Sequence, residues 1–167
     1  MRGKGKTTLA RSVLDTEDRH MVYDCTEDYG GYRRYVPERR TDTMEYNAFV
    51  RDLVLEHKPR LVVMDEAPLY IPNRKPLPAP VMTMVGLSRH LGMSVGWVAH
   101  RPAQLHPHIV ELADYLMVYR LNGANDMKRL DAINEGLADV VRGLPDWHFA
   151  LYHDGETSVH APVDLTN

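Results

Sequence analysis

Two short segments of this chain hold the residue types that phosphate chemistry needs. The first is Gly3-Lys4-Gly5-Lys6-Thr7-Thr8, close to the start. Its glycines let the backbone turn N–H groups toward an anion, and a helix beginning just after them would present its positive end. Lys6 would reach the β- and γ-phosphates of a nucleotide as a point charge, and the Thr7 hydroxyl would serve Mg²⁺. The complete Walker A pattern is Gly, four residues, then Gly-Lys-Ser/Thr. Gly5-Lys6-Thr7 supplies the second half; the first glycine would fall at position zero, and no apolar strand leads into the loop. The chain therefore reads as N-terminally truncated. Alone, the segment is equally a flexible basic N-terminus.

The second segment is Asp65-Glu66, which closes the apolar run Leu61-Val62-Val63-Met64. Continuous apolar residues mark a strand buried on both faces. Such a strand delivers its last residues to the carboxyl edge of a parallel sheet, where ligands collect. This is the Walker B arrangement. Asp65 would hold Mg²⁺ through water, because that ion keeps much of its hydration shell. Glu66 would orient the attacking water or accept its proton. Two acids at a solvated strand end are common; the Gly-Lys-Thr upstream is what makes the pair a catalytic reading.

The elements that must position these residues follow from periodicity. Residues 7–14 read as the first turns of a helix, with Leu9, Val13 and Leu14 on its apolar face. Residues 20–25 form a short strand, 26–43 a loop rich in Gly, Tyr, Arg and Pro, and 44–57 a helix ended by Pro59. Residues 60–65 are the clearest strand. A proline-rich loop at 70–80 precedes a helix at 81–90 and a buried strand at 93–99. A helical stretch at 109–112 leads to a strand at 115–120. Residues 126–142 place Leu130, Ile133, Leu137, Val140 and Val141 on one face of an amphipathic helix. Residues 147–153 and 157–160 flank Asp154-Gly155 as a terminal hairpin. Strands alternating with helices predict an α/β domain with a mostly parallel sheet.

With 167 residues, the chain suits one domain spanning 1–167. Twenty basic against twenty-three acidic side chains leave a net charge of -3, which disfavours a surface that coats nucleic acid. A local patch or an oligomer's pore is still allowed. Cys25 is the only cysteine, so an intrachain disulfide is excluded and a reducing cytosol is the expected setting. No apolar run approaches the roughly 18 residues that span a bilayer. A soluble, cytoplasmic protein is expected.

The sequence resembles the FtsK–HerA superfamily of P-loop ATPases, the DNA pumps of chromosome segregation and viral genome packaging. Gly3 to Arg11 looks like that family's phosphate loop and helix, Tyr23-Asp24 like the end of its second strand, and Leu61 to Ala67 like its Walker B strand. The most telling segment is Ser88-Arg-His-Leu-Gly-Met-Ser-Val-Gly-Trp-Val-Ala-His-Arg-Pro102, followed by Leu105-His-Pro and Ala113-Asp. Zonula-occludens-toxin-like phage assembly ATPases are similar. The resemblance implies a RecA-like fold lacking its first strand, ATP and Mg²⁺ as cofactors, and hydrolysis coupled to DNA translocation. It also implies a homo-oligomeric ring around double-stranded DNA, with capsid proteins as further partners, in the host cytoplasm or the virion. Family members carry glutamine where this chain has His100, and that residue is thought to sense the γ-phosphate; His100 could donate the same hydrogen bond. Arg89, in the arginine-bearing segment, is the preferred trans-acting finger over Arg101 and Arg120.

Other clusters have plainer readings. His100, His106 and His108 are split by Pro102 and Pro107 and lie far from Cys25, so a zinc site is not expected. Tyr29, Tyr32, Arg33, Arg34, Tyr35, Arg39 and Arg40 could stack on bases and neutralise phosphates, but neighbouring acids dilute the charge and slightly favour a solvated loop, with a subunit contact as a third reading. Besides the DNA motor, the sequence leaves open a phage assembly ATPase, a small-molecule kinase and a non-catalytic nucleotide-binding relic.

Overall fold

The computed structural model describes residues 5–163, and the expected α/β architecture forms within them. Four strands make a parallel sheet in the order β2-β1-β3-β4. They are β1 His20–Tyr23, β2 Arg34–Tyr35, β3 Leu61–Met64 and β4 Ser94–Trp97. Every residue of β3 is buried, as its unbroken apolar run requires. The register levels the strand ends: Tyr23 pairs with both Tyr35 and Met64, and Met64 pairs with Trp97. Residues following these strands therefore emerge along one edge.

Alternate side chains of β1 and β3 point to opposite faces, and helices cover both. On one face Val22, Leu61 and Val63 meet Ala10 and Leu14 of α1 (Lys6–Leu14). On the other, Met21, Tyr23, Val62 and Met64 meet two helical layers. One layer is α2 (Thr43–Ala48), continued by a π-helical turn (Phe49–Val54) and α3 (Leu55–His57); the other is α4 (Ala79–Leu87). Asp42 starts α2 by accepting the N–H groups of Met44 at 2.8 Å and Glu45 at 3.3 Å. Tyr23, Tyr46 and Tyr70 form an aromatic knot here, with ring centroids 4.5 to 5.3 Å apart.

A short α5 (Pro107–Glu111) precedes a second, antiparallel sheet of β5 (Leu116–Tyr119), β6 (Phe149–His153) and β7 (Glu156–His160). Asp154 and Gly155, at φ 49° and 85°, make the tight hairpin turn that their types predict. Helices α6 (Ala124–Ile133) and α7 (Leu137–Gly143) bury Leu130, Leu137 and Val141 against Val118 and Ala150.

Three expectations change. The segment 26–43 is not all loop: the Val22 and Asp24 N–H groups bond to Arg33 and Tyr35 carbonyls at 3.0 and 2.9 Å, making a two-residue strand too short to leave a pattern. The helix expected over 126–142 is two. Asn134 is extended and Gly136 takes φ 83°, yet the apolar face continues across the break, so periodicity does not register it. Finally, the buried strand expected over 93–99 is only Ser94–Trp97 and is partly exposed; it ends the parallel sheet while β5 joins the hairpin, so β4 and β5 each keep an unpaired edge among the described residues. Both strands line a cleft of about 1030 Å³, bounded by Leu9 and Ala10 of α1 and by Val85 and Ile109. No strand precedes α1 among the described residues. No helix among them is long and apolar enough to cross a membrane.

Candidate active site

Gly5 enters α1 from the left-handed region, at φ 89°, and a Cβ there would stand 3.1 Å from the Tyr119 hydroxyl. Glycine is needed on both counts. The Tyr119 hydroxyl donates to the Gly5 carbonyl at 3.0 Å, tying the start of α1 to β5. Among the described residues no side chain caps α1 and no acid occupies its first turn, which leaves the first N–H groups and the helix's positive end for an anion. Lys6, Thr7 and Thr8 are half-buried around this turn; Gly3 and Lys4 lie outside the described residues. Tyr119→Phe should loosen nucleotide binding about fivefold, the worth of one hydrogen bond of about 1 kcal/mol, measured by fluorescent-nucleotide titration. Unchanged affinity would show that the tether does not set the loop.

At the levelled carboxyl edge stand two of the three buried carboxylates among the described residues, Asp24 after β1 and Asp65 after β3. Asp24 is satisfied by Arg34 at 2.6 Å and by the Asp28 and Tyr29 N–H groups at 3.2 Å. That anchoring folds the following loop back over the sheet. Thr26 then donates to Asp65 Oδ2 at 2.7 Å, the Tyr29 hydroxyl approaches Oδ1 at 3.4 Å, and the Tyr70 hydroxyl donates to the Asp65 carbonyl at 2.8 Å. Burial pushes the Asp65 carboxyl up to about 6; Thr26 opposes this, while Glu66, Asp24 and Asp28 add repulsion.

A cation is what such a buried, repelled carboxylate lacks. No group of three His, Cys, Asp or Glu could hold a metal among the described residues. A metal at Asp65 would draw its remaining ligands from a hydroxyl, water and phosphate, a donor set that suits Mg²⁺.

Glu66 sits in the left-handed region, at φ 47° and ψ 43°, which turns its side chain toward the end of β4. There Nε2 of His100 lies 2.8 Å from its Oε1. Lys6, Arg89 and His100 line the same cleft, and His100 joins Glu66 to it. Arg89, just past α4, is 79% exposed and paired with Asp114 at the protein surface. Arg120 pairs with Asp146, and Arg101 is exposed.

The aromatic and basic cluster after β1 is neither a stacking surface nor a plain solvated loop. Tyr29 is fully buried against Asp65, Arg34 holds Asp24, Tyr32 donates to Asp15 at 2.8 Å, and Tyr35 donates to Glu45 at 2.9 Å. Sequence reasoning missed Asp24, Thr26 and Tyr29 as parts of the site. Only Asp24, an acid directly after an apolar strand, left a signal.

The fold is that of an α/β P-loop NTPase: a helix opened by Gly-Lys-Thr, a mostly parallel sheet with acids at its carboxyl edge, and a C-terminal hairpin. It is similar to solved structures of viral packaging enzymes. The genome packaging NTPase B204 of Sulfolobus turreted icosahedral virus 2, in complex with ATP-gammaS, matches with a TM-score of 0.84 at 15% identity, over 97% of this chain and 94% of that one. The same NTPase in complex with AMPPCP matches at 0.80 and 16% identity, over 96% and 93%. B204 of Sulfolobus turreted icosahedral virus, described as a DNA-packaging ATPase, matches at 0.82 and 15% identity, over 96% and 93%. No family model matches the sequence, and no curated protein is similar to it.

Proposed function

We propose that the chain binds Mg-ATP, hydrolyses it, and couples hydrolysis to the movement of double-stranded DNA during viral genome packaging. The observation that carries the catalytic part is the meeting of Asp65, Glu66 and His100 at one sheet edge, with Lys6 and the uncapped start of α1 on the adjoining cleft. The resemblance of the Ser88-to-Pro102 segment and the likeness of fold to B204 support the packaging part.

In this reading the first turn of α1 grips the phosphates and Lys6 neutralises them. Thr7 and Asp65 would hold Mg²⁺, which when bound draws charge off the phosphate oxygens. Glu66 takes a proton from water as the water oxygen bonds to the γ-phosphorus and the bond to the leaving ADP oxygen breaks. Arg89, exposed at the surface, would serve a neighbouring subunit of a ring once it releases Asp114. DNA would pass through that ring.

Measured phosphate release, stimulated by double-stranded DNA, tests the whole. Stimulation separates a motor from a small-molecule kinase, and a Mg-ATP thermal shift separates either from a non-catalytic relic. Lys6→Ala should weaken nucleotide binding by about 100-fold, about 3 kcal/mol for a charge-assisted contact. Unaltered affinity in that variant would remove Lys6 from the site.

A further inference from the structure

We infer that His100 is a positioning residue for Glu66: it acts on hydrolysis by holding the Glu66 carboxylate, not by touching the nucleotide. This inference rests on the ATPase reading above. The resemblance implies a residue that senses the γ-phosphate at this place, yet this chain's histidine is already engaged. Its Nε2 is 2.8 Å from Glu66 Oε1, and among the described residues this is the one polar contact of the Glu66 side chain. The approach sets a ring nitrogen of the imidazole directly against a carboxylate oxygen.

The contact is built into the backbone. The Val98 N–H bonds to the Met64 carbonyl at 2.9 Å, and the Ala67 N–H bonds back to the Val98 carbonyl at 3.0 Å. The β3–β4 pairing thus continues around Glu66 rather than stopping before it. Glu66 bridges the two bonds in a left-handed conformation that a side chain adopts only when its surroundings enforce it. The result sets Glu66 beside residues 98–100. The Glu66 side chain is 15% exposed and that of His100 is 49% exposed. The carboxylate is the enclosed member and the imidazole the accessible one that fixes it.

Phosphate release by the full chain, with His100→Ala and His100→Gln each alone and combined with Glu66→Gln, decides the matter; single-turnover measurements reach the slow variants. His100→Ala should lower kcat about tenfold with KM within about twofold, the pattern of an interaction that matters in the transition state. His100→Gln, whose amide can donate to the carboxylate, should restore kcat to within about threefold of the parent. In the Glu66→Gln background, His100→Ala should cost less than about twofold, because residues acting as one unit are not additive. Melting temperatures within a few degrees of the parent identify these as effects on the site. A tenfold loss that persists in the Glu66→Gln background, or a KM effect without a kcat effect, overturns the inference and returns His100 to the nucleotide. A parent chain that releases no phosphate overturns the ATPase reading, and the inference with it.

Discussion

Glu66→Gln should hydrolyse ATP about 100- to 1,000-fold more slowly than the parent chain, within the range expected for loss of a general base. Its nucleotide affinity should stay within about threefold. The substitution is nearly isosteric, and the amide oxygen can take the place of Glu66 Oε1 beside His100 Nε2. The left-handed backbone at this position belongs to the β3–β4 pairing rather than to the charge, so the fold is unaffected. What disappears is basicity toward water. Phosphate release paired with fluorescent-nucleotide binding separates the two properties. Parent-like hydrolysis would exclude Glu66 as the proton acceptor and leave Asp24 and Asp65 as the other acids at that edge.

Asp65→Asn should do two opposite things. Without divalent cations it should raise thermal stability at neutral pH, and with Mg-ATP it should abolish hydrolysis. The first effect follows from the carboxyl being pushed from its ordinary 3.8 to about 6. Below about pH 4 the group is protonated in folded and unfolded chains alike and has no influence. Between about 4 and 6 the unfolded chain ionises while the folded chain keeps the proton, so stability falls as pH rises. Above about 6 the full penalty is present, about 3 kcal/mol for about two pH units. Asparagine removes it and keeps an oxygen for the Thr26 hydroxyl, so the melting temperature should rise by about 6 to 12 °C at pH 7 and hardly at all at pH 4. Equal melting of parent and variant at pH 7 would show that solvent or rearrangement already relieves the charge. A site residue whose removal steadies the resting fold is the usual mark of function held at a cost in stability.

The parts legible in the sequence were those written in consecutive residues. Leu61-Val62-Val63-Met64 announces a buried strand by composition alone, and Asp65-Glu66 follows from its end. Asp154-Gly155 announces its turn. The break at Asn134–Gly136 stayed hidden because Leu130 and Leu137 serve one apolar face on both sides of it. Arg34–Tyr35 was too brief a strand to carry a period. The setting of Asp65 was least legible: Thr26 and Tyr29 reach it across 39 and 36 residues, through a loop folded by Asp24. Residue types suggest what an acid could do. Only the levelled ends of β1, β3 and β4 decide which side chains surround it.

The hydroxyl of Tyr119 gives the cleft between β4 and β5 a mechanical meaning. Through it the front of α1 is moored to the antiparallel sheet, while Ala10 and Leu14 farther along the same helix rest on the parallel sheet that holds Asp65 and Glu66. The helix is a bridge across a gap, with its Gly5 end tied to one sheet and its middle packed on the sheet that carries Asp65 and Glu66. Any change in the width of that gap alters the reach from Lys6 to Glu66.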